Sequence, residues 1–536
     1  MNCDSFAHGV LSCASAKAFE AEVLTDEASA WSAMRRAGRG LAAAVAEDYR
    51  ELREPPQRLR ILALIGKGHN GGDALIACGQ LLADFPRAQV DLVLVAAEAD
   101  LKPLTQRALQ QLEGRVAIHL FEEGPADAAR DLLRSISAAT GFHICLDGLL
   151  GMDFKPPLRA PLDTLIEAVN DFPAIDLRAA VDLPSGAGDT GGELMFRADF
   201  SYATGIVKKP LFEGIADCGR VRYIDLGFFD HASTQPETAE FVLHPGVLQP
   251  LNRLRPAHVD KRAFGHLFIV GGSAYMPGAL LMTVQAAVRS GVGLVTAFAP
   301  ASVAATLSAQ VPEAMWVPWP ETSNGTLSPR ALPLLTDRIP QATSLLVGPG
   351  MGRDRNTERL AQEIVSQVEC PILFDADGLR ARVVEVAQRR RRHFGPVVIT
   401  PHMGEFMRVA KIMEPDYRIE TLIGFSRTYG LITVLKGANT RICDGENVWY
   451  HTRGGPVLSR GGSGDVLSGL IGGLMAQNGN GDSMTTAVAQ GVIMHGLAAE
   501  QLARTKGQVM VQTTQILDYL PDVLRSLDTA AGSGGW

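Results

Sequence analysis

The chain has 536 residues, of which 46% are hydrophobic and 20% charged, and its formal net charge is −8. This balance excludes a disordered chain, and the acidic excess argues against a nucleic-acid-binding protein, which would need a basic surface. No apolar run approaches the roughly 18 residues that indicate a membrane-spanning helix. The seven cysteines include no C-x-x-C pair, which is typical of the reducing cytosol, so we expect a cytoplasmic protein with no membrane partner.

Short apolar runs that end in glycine loops, each followed by a helical pattern, occur in two series along the chain. This alternation predicts βαβ units and parallel sheets. The expected fold is therefore α/β with two domains, at residues 17–232 and 245–525, joined by a breaker-rich linker near 231–245. The first series comprises RILALIG, VDLVLVA, HICLDGLLG and RAAVDLPSG, and the second comprises HLFIVGG, GLVTAFA, SLLVGPG, PILFDADGL, VVITPH and LITVLKG.

The first glycine loop, Gly66 to Gly71, satisfies G-x-G-x-x-G directly after an apolar run. Alone, this pattern permits a dinucleotide-binding site for hydride transfer. That reading expects an acid at the end of the second strand, whereas Asp91 lies at its start. A pyrophosphate turn also has no need of Asn70 and Asp73, so a different use of the loop is favoured.

The longer string GKGHNGGDALIA resembles the G-x-G-N-N-G-G-D-G loop of the NAD(P)H-hydrate epimerase family. Three more segments match that family in order and spacing over roughly residues 17–230. The resemblance implies a Rossmann-like α/β/α sandwich for the N-terminal domain. The matching segments are MRRAG from Met34, LDGLLG from Leu146 and AVDLPSG from Ala180.

Polar side chains follow the strand ends in these segments, at the edge where open α/β sheets bind ligands. Asn70, Asp147 and Ser185 supply hard oxygen atoms, and the resemblance implies that they hold potassium. It also implies that Asp182 contacts the substrate and moves a proton during epimerisation. The alternative is that Asp147 and Asp182 cap the helices that follow them. The substrate-binding residues implied are His69, Asn70, Gly71, Gly72, Asp73 and Gly151.

Two positions depart from the family pattern in this loop. His69 stands where the family has its first Asn, and Ala74 stands where it has Gly. We expect His69 to alter the rim of the substrate site and Ala74 to tighten the approach of the backbone. Neither change removes a residue of the implied cation site.

In the second half, RGGSGDVLSG from Arg460 predicts a glycine-rich turn that opens a helix. Backbone N–H groups of Gly461 to Gly464 would face an anion, helped by the helix dipole. Asp465 in the first turn can accept the proton of a hydroxyl that attacks phosphorus. A simple helix start with an acidic first turn is the alternative.

This arrangement resembles the ribokinase-like superfamily, in which a G-x-G-D motif supplies an anion hole and a catalytic base. Within that group, roughly residues 255–505 look like the NAD(P)H-hydrate dehydratases, which implies a ribokinase-like α/β fold for the C-terminal domain. The matching motifs are KRAFGHLFIVGGSAYMPGA from Lys261, VPEAM from Val311, GPGMGRD from Gly348, DADGL from Asp375, TPHMGEF from Thr400 and LKGANT from Leu435.

The resemblance implies a role for each matched residue. Asp465 is the implied catalytic base, and Ala279, Gly350 and His402 would border the hydrated nicotinamide. A buried structural histidine is the alternative for His402. Arg460 precedes the motif in place of a small residue and is expected to add a phosphate contact or narrow the entrance. The residues expected to line the nucleotide are Lys436, Gly437, Ala438, Asn439, Thr440 and Gly464, and those expected to assist magnesium or substrate are Asp377 and Glu405.

Together the two resemblances imply a bifunctional NAD(P)H-hydrate repair enzyme. Water added at carbon 6 of the reduced nicotinamide gives two epimeric hydrates, NADHX and NADPHX in their R and S forms. The N-terminal domain would interconvert the epimers with potassium, and the C-terminal domain would dehydrate the S form at the expense of ADP or ATP with magnesium. A homo-oligomer is expected. The alternative is a ribokinase-like kinase of a vitamin precursor with a non-catalytic N-terminal binding domain.

Overall fold

A computed structural model describes residues 3–122, 124, 127–137, 140–213, 215–230, 236–391, 393–478 and 483–530. The chain divides into two compact units, an N-terminal unit of His8–Thr238 and a C-terminal unit of Ala239–Asp528, and residues up to Ala7 group with the second. Each unit contains helices and one large sheet. The α/β class with two domains, predicted from the sequence, is therefore confirmed.

The N-terminal unit contains nine strands and eight α-helices within the described ranges. The strands are β1 (Ala7–Leu11), β2 (Arg60–Ile65), β3 (Gln89–Leu94), β4 (Ala117–Leu120), β5 (Phe142–Gly148), β6 (Ile175–Val181), β7 (Phe200–Thr204), β8 (Val207–Lys208) and β9 (Arg220–Ile224). The helices are α1 (Cys13–Val23), α2 (Glu27–Tyr49), α3 (His69–Asp84), α4 (Pro103–Gln110), α5 (Ala128–Ser137), α6 (Leu162–Asn170), α7 (Pro210–Glu213) and α8 (Ile215–Cys218).

The seven-stranded sheet of this unit is parallel and has the order β4-β3-β2-β5-β6-β7-β9. Alternate residues of β2 face opposite sides of the sheet, as the pleat requires. Ile61 and Ala63 pack with residues of α2, α3 and α4, whereas Leu62 and Leu64 pack with residues of α5 and α6. The sheet is thus buried on both faces, which explains the continuous apolar runs in its sequence.

The C-terminal unit contains ten strands and ten α-helices within the described ranges. The strands are β10 (Glu240–Leu243), β11 (His266–Val270), β12 (Leu294–Pro300), β13 (Met315–Trp319), β14 (Ser344–Val347), β15 (Ile372–Phe374), β16 (Val397–Ile399), β17 (Leu431–Leu435), β18 (Thr440–Cys443) and β19 (Val448–His451). The helices are α9 (Pro277–Arg289), α10 (Ala301–Gln310), α11 (Pro333–Thr336), α12 (Arg355–Gln367), α13 (Ala381–Ala387), α14 (Met403–Ala410), α15 (Ile419–Tyr429), α16 (Ser463–Gln477), α17 (Met484–Lys506) and α18 (Leu520–Ala530).

Within this unit the strand order is β13-β12-β11-β14-β15-β16-β17-β18-β19-β10. The pairs from β13 to β17 are parallel, and β18 is antiparallel to both of its neighbours. The order reverses between β11 and β14, as it does between β2 and β5 in the N-terminal unit. Ligands of open α/β sheets bind beyond the carboxyl ends of strands at such reversals, so each unit offers one crevice of this kind.

All ten apolar runs singled out in the sequence contain strands of these two sheets. The predicted linker is partly wrong, because Glu240–Leu243 forms β10, which pairs in parallel with β19. The buried carboxylate of Glu240 there accepts a hydrogen bond of 2.8 Å from Tyr450 Oη. Residues 231–235 of the predicted linker lie outside the described residues. Within the described ranges, no helix combines the length and apolar character needed to cross a membrane.

Candidate functional sites

The first glycine loop lies between β2 and α3, where several backbone segments come very close together. A side chain at Gly66 would lie 1.9 Å from the carbonyl oxygen of Leu149, and one at Gly71 would lie 2.3 Å from that of Gly66. One at Gly151 would lie 2.6 Å from Asn70 Oδ1. Glycine is therefore required at these positions by the close approach of the loops after β2 and β5.

Asn70, Asp147 and Ser185 belong to one hydrogen-bonded network. The Asn70 amide donates to the carbonyl oxygens of Leu150 and Val181, at 2.9 and 2.8 Å. The Leu150 N–H donates to Ser185 Oγ at 2.9 Å, and Ser185 donates to Asp147 through its hydroxyl and its N–H, both at 2.7 Å. Burial raises the pKa of Asp147 to about 6, although the hydrogen bonds from Ser185 oppose this rise.

Asp182 follows the end of β6 with φ of 68°, a left-handed conformation that is rare outside glycine. Its Oδ1 accepts hydrogen bonds from the N–H and hydroxyl of Thr204, at 3.1 and 3.3 Å, and from Lys208 Nζ. The side chain of Lys208 is fully buried. A buried ammonium group needs such a partner, so Lys208 and Asp182 hold each other in place.

A cavity of about 770 Å³ opens beside these loops. Its lining includes Glu20 of α1 together with the predicted residues His69, Asn70, Asp73, Gly151 and Asp182. Burial raises the pKa of Asp73 well above its usual value, and the charges of Asp182 and Glu20 add to the rise. Partial desolvation of the His69 ring and the charge of Lys102 lower the pKa of His69. Two of the residues predicted to bind substrate, Gly71 and Gly72, are buried in the first turn of α3.

Two expectations about this half of the chain need correction. Asp147 and Asp182 do not cap helices, since their hydrogen bonds go to Leu149, Ser185, Thr204 and Lys208. Ala74 does not tighten an approach to ligand, because it is fully buried against the end of β5. A side chain at Gly148 would lie 2.8 Å from Ala74 Cβ, so Ala74 fills core space.

In the C-terminal unit, Asp465 lies in the first turn of α16, as the sequence predicts. Gly462 precedes the helix with φ of 88°, and a side chain there would lie 2.4 Å from Met282 Sδ. Both the conformation and the close contact require glycine at this position. Gly464 lies beside Lys436, since a side chain at Gly464 would stand 3.4 Å from Lys436 Nζ.

Lys436 follows β17 and is surrounded by carboxylates. Its Nζ lies 3.0 Å from Asp375 Oδ1 and 3.9 Å from Glu405 Oε2. Burial lowers the pKa of Lys436, but Asp375 and Glu405 outweigh this effect and raise it. Burial raises the pKa of Asp465 to about 7, with Asp375, Asp377 and Glu405 adding to the rise and Lys436 opposing it. The site thus gathers four acids around one lysine.

Asp377 and His402 occupy neighbouring strand ends. Asp377 accepts hydrogen bonds of 3.0 Å from the Gly352 N–H and from Arg353 Nε. His402 caps α14, and its Nδ1 accepts a hydrogen bond of 3.3 Å from the Glu405 N–H. The His402 side chain is 56% exposed, so the alternative of a buried structural histidine is wrong.

The predicted nucleotide segment is the tight turn between β17 and β18. Gly437 and Ala438 are exposed at its tip, whereas Asn439 is buried. The Asn439 Nδ2 has no hydrogen-bond partner among the described residues, and Thr440 Oγ1 donates to the Gly437 carbonyl at 3.3 Å. The exposed tip of the turn is therefore formed by Gly437 and Ala438, which have little or no side chain.

Ala279 and Gly350 lie beyond β11 and β14, at the reversal in strand order. Gly350 has φ of 67°, and a side chain there would lie 3.1 Å from Ala279 Cβ and 2.5 Å from the carbonyl oxygen of Met276. These two predicted substrate residues are therefore neighbours. Any larger residue at Gly350 would close the gap between their loops.

Arg460 makes contacts that neither of its predicted roles requires. Its guanidinium donates hydrogen bonds to the backbone carbonyls of Val511, Gln508 and Val509, at 3.0, 2.5 and 2.6 Å. These bonds occupy both terminal nitrogens. Arg460 therefore fastens the segment after α17 to the start of the glycine-rich turn.

Several residues of these sites carry no local signal in the sequence. Glu20 and Lys208 approach Asp182 from α1 and β8, which are distant from it along the chain. Asp375 is the nearest acid to Lys436, although only its motif, DADGL, was noted. A search for charged residues within apolar segments could have found Lys208, which is buried in β8.

Comparison with known proteins covers both halves of the chain. A family model described as YjeF-related protein N-terminus matches residues 32–209, and one described as NAD(P)H-hydrate dehydratase matches residues 267–522. The ADP/ATP-dependent NAD(P)H-hydrate dehydratase of Bacillus subtilis, solved after co-crystallisation with ATP/Mg2+, is a similar structure. It is 25% identical and covers 51% of this chain and 93% of its own, with a TM-score of 0.43.

Curated relatives match nearly the full chain. The bifunctional NAD(P)H-hydrate repair enzyme Nnr of Moorella thermoacetica is 33% identical over 500 residues, which cover 89% of this chain and 90% of that protein. The protein of the same name from Gloeobacter violaceus is 33% identical over 493 residues, covering 88% of this chain and 89% of its own. On this extent of similarity, the chain belongs to the family of bifunctional NAD(P)H-hydrate repair enzymes.

Proposed function

We propose that the C-terminal unit phosphorylates the ring hydroxyl of the S hydrate and then releases phosphate to restore the dihydronicotinamide. The observation that carries this proposal is the position of Asp465 in the first turn of α16, beside Lys436 and three other acids. Asp465 accepts the hydroxyl proton as oxygen attacks phosphorus. Phosphorylation is useful because it replaces hydroxide, a poor leaving group, with phosphate.

The nucleotide, ADP or ATP, lies against the Lys436 to Thr440 turn and Gly464 in this proposal. Lys436 Nζ supplies a positive charge for the phosphates, and the N–H groups that open α16 face the group being transferred. Gly437 and Ala438, exposed at the tip of this turn, offer backbone groups to the ligand. Ala279, Gly350 and His402 border the hydrated ring.

Magnesium fits the chemistry of this site because its preferred ligands are carboxylate and phosphate oxygens. The carboxylates available to hold it are those of Asp375, Asp377 and Glu405, and its charge would offset their mutual repulsion. When bound, the ion would neutralise charge on the nucleotide phosphates.

In the N-terminal unit, we propose that Asp182 moves the proton during epimerisation of the hydrate. The substrate lies in the 770 Å³ cavity, against His69, Asn70, Asp73 and Gly151. Gly71 and Gly72 shape the loop from inside the first turn of α3. The buried Lys208 fixes Asp182 Oδ1, so that the carboxylate keeps one orientation.

Potassium fits the set formed by Asn70, Asp147 and Ser185, which offers amide, carboxylate and hydroxyl oxygens. Asn70 Oδ1 accepts no hydrogen bond from the described residues, since the amide bonds of that side chain are donated through Nδ2. A bound cation would position the loops after β2, β5 and β6. Replacing potassium with lithium should slow epimerisation and leave dehydration of the S form at its parent rate.

We also propose that the halves act independently, with functional domains near 17–232 and 245–525, in a cytoplasmic homo-oligomer. Because β10 pairs with β19 within the C-terminal unit, a fragment that begins at residue 239 should dehydrate the S hydrate alone. The same fragment begun at residue 245 lacks β10 and should be less stable. Light scattering of the full chain tests the oligomeric state.

The deciding experiment incubates the pure full-length protein with mixed hydrate epimers and ADP or ATP. Absorbance of the dihydronicotinamide should return fully, since the R form is converted as the S form is consumed. Return of only the S fraction would contradict the epimerase function. No return, with phosphorylation of a vitamin precursor instead, would favour the alternative kinase.

A further inference from the structure

Glu20 is an acid in the epimerase cavity that the sequence motifs do not include. It lies in α1, one turn before the end of the helix, and its side chain lines the cavity that also contains Asp182. Its carboxylate forms no hydrogen bond or ion pair with any described residue. Most buried polar groups in proteins have a hydrogen-bond partner, so an unpaired carboxylate here is available to a ligand.

Only one of the two carboxylate oxygens of Asp182 accepts hydrogen bonds from the described residues. Every hydrogen bond that its carboxylate accepts from the described residues ends on Oδ1, from Thr204 and Lys208. Its Oδ2 accepts none of them. Four carboxyl groups line the cavity, those of Glu20, Asp73, Asp153 and Asp182. Glu20 and Asp182 lie on different elements, and Asp182 is anchored through one oxygen while Glu20 is free of protein partners among the described residues.

We propose that Glu20 is a second proton-transferring residue of the epimerase site and acts together with Asp182 on the hydroxyl group at carbon 6. This inference rests on the proposed epimerase function of the N-terminal unit. Epimerisation requires a group to leave one face of the ring and return to the other, so it requires proton transfer at two positions. A single anchored carboxylate can serve only one of them.

The atoms balance as follows. Glu20 gives its proton to the hydroxyl oxygen on carbon 6, the C6–O bond breaks, and water departs as the ring nitrogen lone pair forms a C6=N1 bond. Water then adds to the opposite face, the C6=N1 electrons return to nitrogen, and Asp182 takes the proton. Exchange of one proton between the two carboxyl groups through solvent restores the starting state, with no net change in water.

The charge environment suits Glu20 to the acid role. Burial raises the pKa of Glu20 to about 7; Lys208 opposes this rise, while Asp182 and Asp153 add to it. Glu20 is therefore protonated in a large share of molecules near neutral pH, as a general acid must be. The other titratable groups that line the cavity are Lys17, Lys67, His69, Asp73, Lys102 and Asp153.

The test measures conversion of the R hydrate, after subtraction of its spontaneous rate, in the full-length Glu20→Gln protein. We expect kcat for epimerisation to fall by about 100-fold with little change in KM. In the parent, the rate should decline as pH rises through about 7, where Glu20 loses its proton. This decline should disappear in Glu20→Gln and return in Glu20→Asp.

Controls separate this inference from the proposed function. Glu22→Gln changes an exposed acid on the same helix and should behave as the parent does, as should dehydration of the S form by every variant. If Asp182→Asn loses epimerisation while Glu20→Gln keeps its rate and pH decline, the inference is wrong and the proposed function stands. If the parent epimerises nothing above the spontaneous rate, the proposed function itself is wrong.

Discussion

Each of the two crevices contains a lysine paired with an aspartate, but the paired aspartate has a different proposed role in each unit. In the N-terminal unit the fully buried Lys208 contacts the proposed catalytic aspartate, Asp182, directly. In the C-terminal unit Lys436 contacts Asp375 at 3.0 Å, and the proposed catalytic aspartate is a different one, Asp465. Lysine thus pairs with the proposed catalytic aspartate in the N-terminal unit and with a different aspartate, Asp375, in the C-terminal unit.

This difference matters because a carboxylate is tuned by the charge nearest to it. Asp465 forms no direct ion pair with a lysine among the described residues, and burial with its acidic neighbours raises its pKa to about 7. Such a group can accept a proton near neutral pH. In the N-terminal unit, by contrast, the charge of Asp182 is paired directly with that of Lys208.

The largest effect should follow removal of the base in the C-terminal unit. Asp465→Asn should lower nucleotide-dependent dehydration by about 100-fold to 10,000-fold, because the attacking hydroxyl then keeps its proton. The measurement is the return of dihydronicotinamide absorbance from the S hydrate with ADP or ATP. Epimerisation by the same protein serves as the folding control, and near-parent dehydration would reduce Asp465 to a residue of the helix start.

A smaller loss should follow the matched change in the N-terminal unit. Asp182→Asn keeps an Oδ1 acceptor for Lys208 and Thr204 but removes the basic oxygen, so epimerisation should fall by about 100-fold. Measured on mixed epimers, the S form should be consumed at the parent rate while the R form lags. Asp182→Ala is less suitable, because it would leave the buried Lys208 unpaired and could unfold the protein. Equal consumption of both epimers by Asp182→Asn would show that Asp182 is structural.

These sites also show which parts of a structure a sequence can disclose. Asp465 with its glycine turn and Asn70 with its loop were found because strand, turn and helix start are contiguous in the chain. Glu20 and Lys208 reach Asp182 from segments about 160 residues before it and 26 residues after it, so no local pattern marks them. Long-range packing decides their positions.

Arg460 shows that a position beside a motif does not determine the contacts of a side chain. Its place beside the glycine-rich turn suggests a phosphate contact, but the conformation of the segment after α17 brings three carbonyls within its reach. Sequence proximity to a motif cannot reveal such competition for a side chain. The sequence does not reveal β10 for a related reason. Its four residues lie among helix- and strand-breaking residues, and only their pairing with the distant β19 makes them a strand.

The pH dependence of stability should distinguish the two aspartates further. The native pKa of Asp465 is about 7, above the unfolded value of about 3.9, so this carboxyl favours the native state less as pH rises from about 4 to about 7. Asn carries no such cost. Thermal unfolding should therefore show Asp465→Asn gaining stability over the parent between pH 5 and pH 8, and a difference independent of pH would contradict the raised pKa.

The smallest effect should come from Arg460, because its role is to fasten a loop. Arg460→Ala removes three hydrogen bonds to backbone carbonyls, and water can replace part of them, so the C-terminal unit should lose about 1–3 kcal/mol of unfolding free energy. The KM for the nucleotide should change by less than about threefold, since both terminal nitrogens of Arg460 are bonded to the loop. Arg460→Lys gives the discriminating control, because lysine keeps the charge but lacks the fork that reaches several carbonyls. If the loop contact is the role, Arg460→Lys should be nearly as destabilised as Arg460→Ala with a parent KM. If Arg460→Ala raises the KM and Arg460→Lys restores it, the side chain contacts phosphate after all.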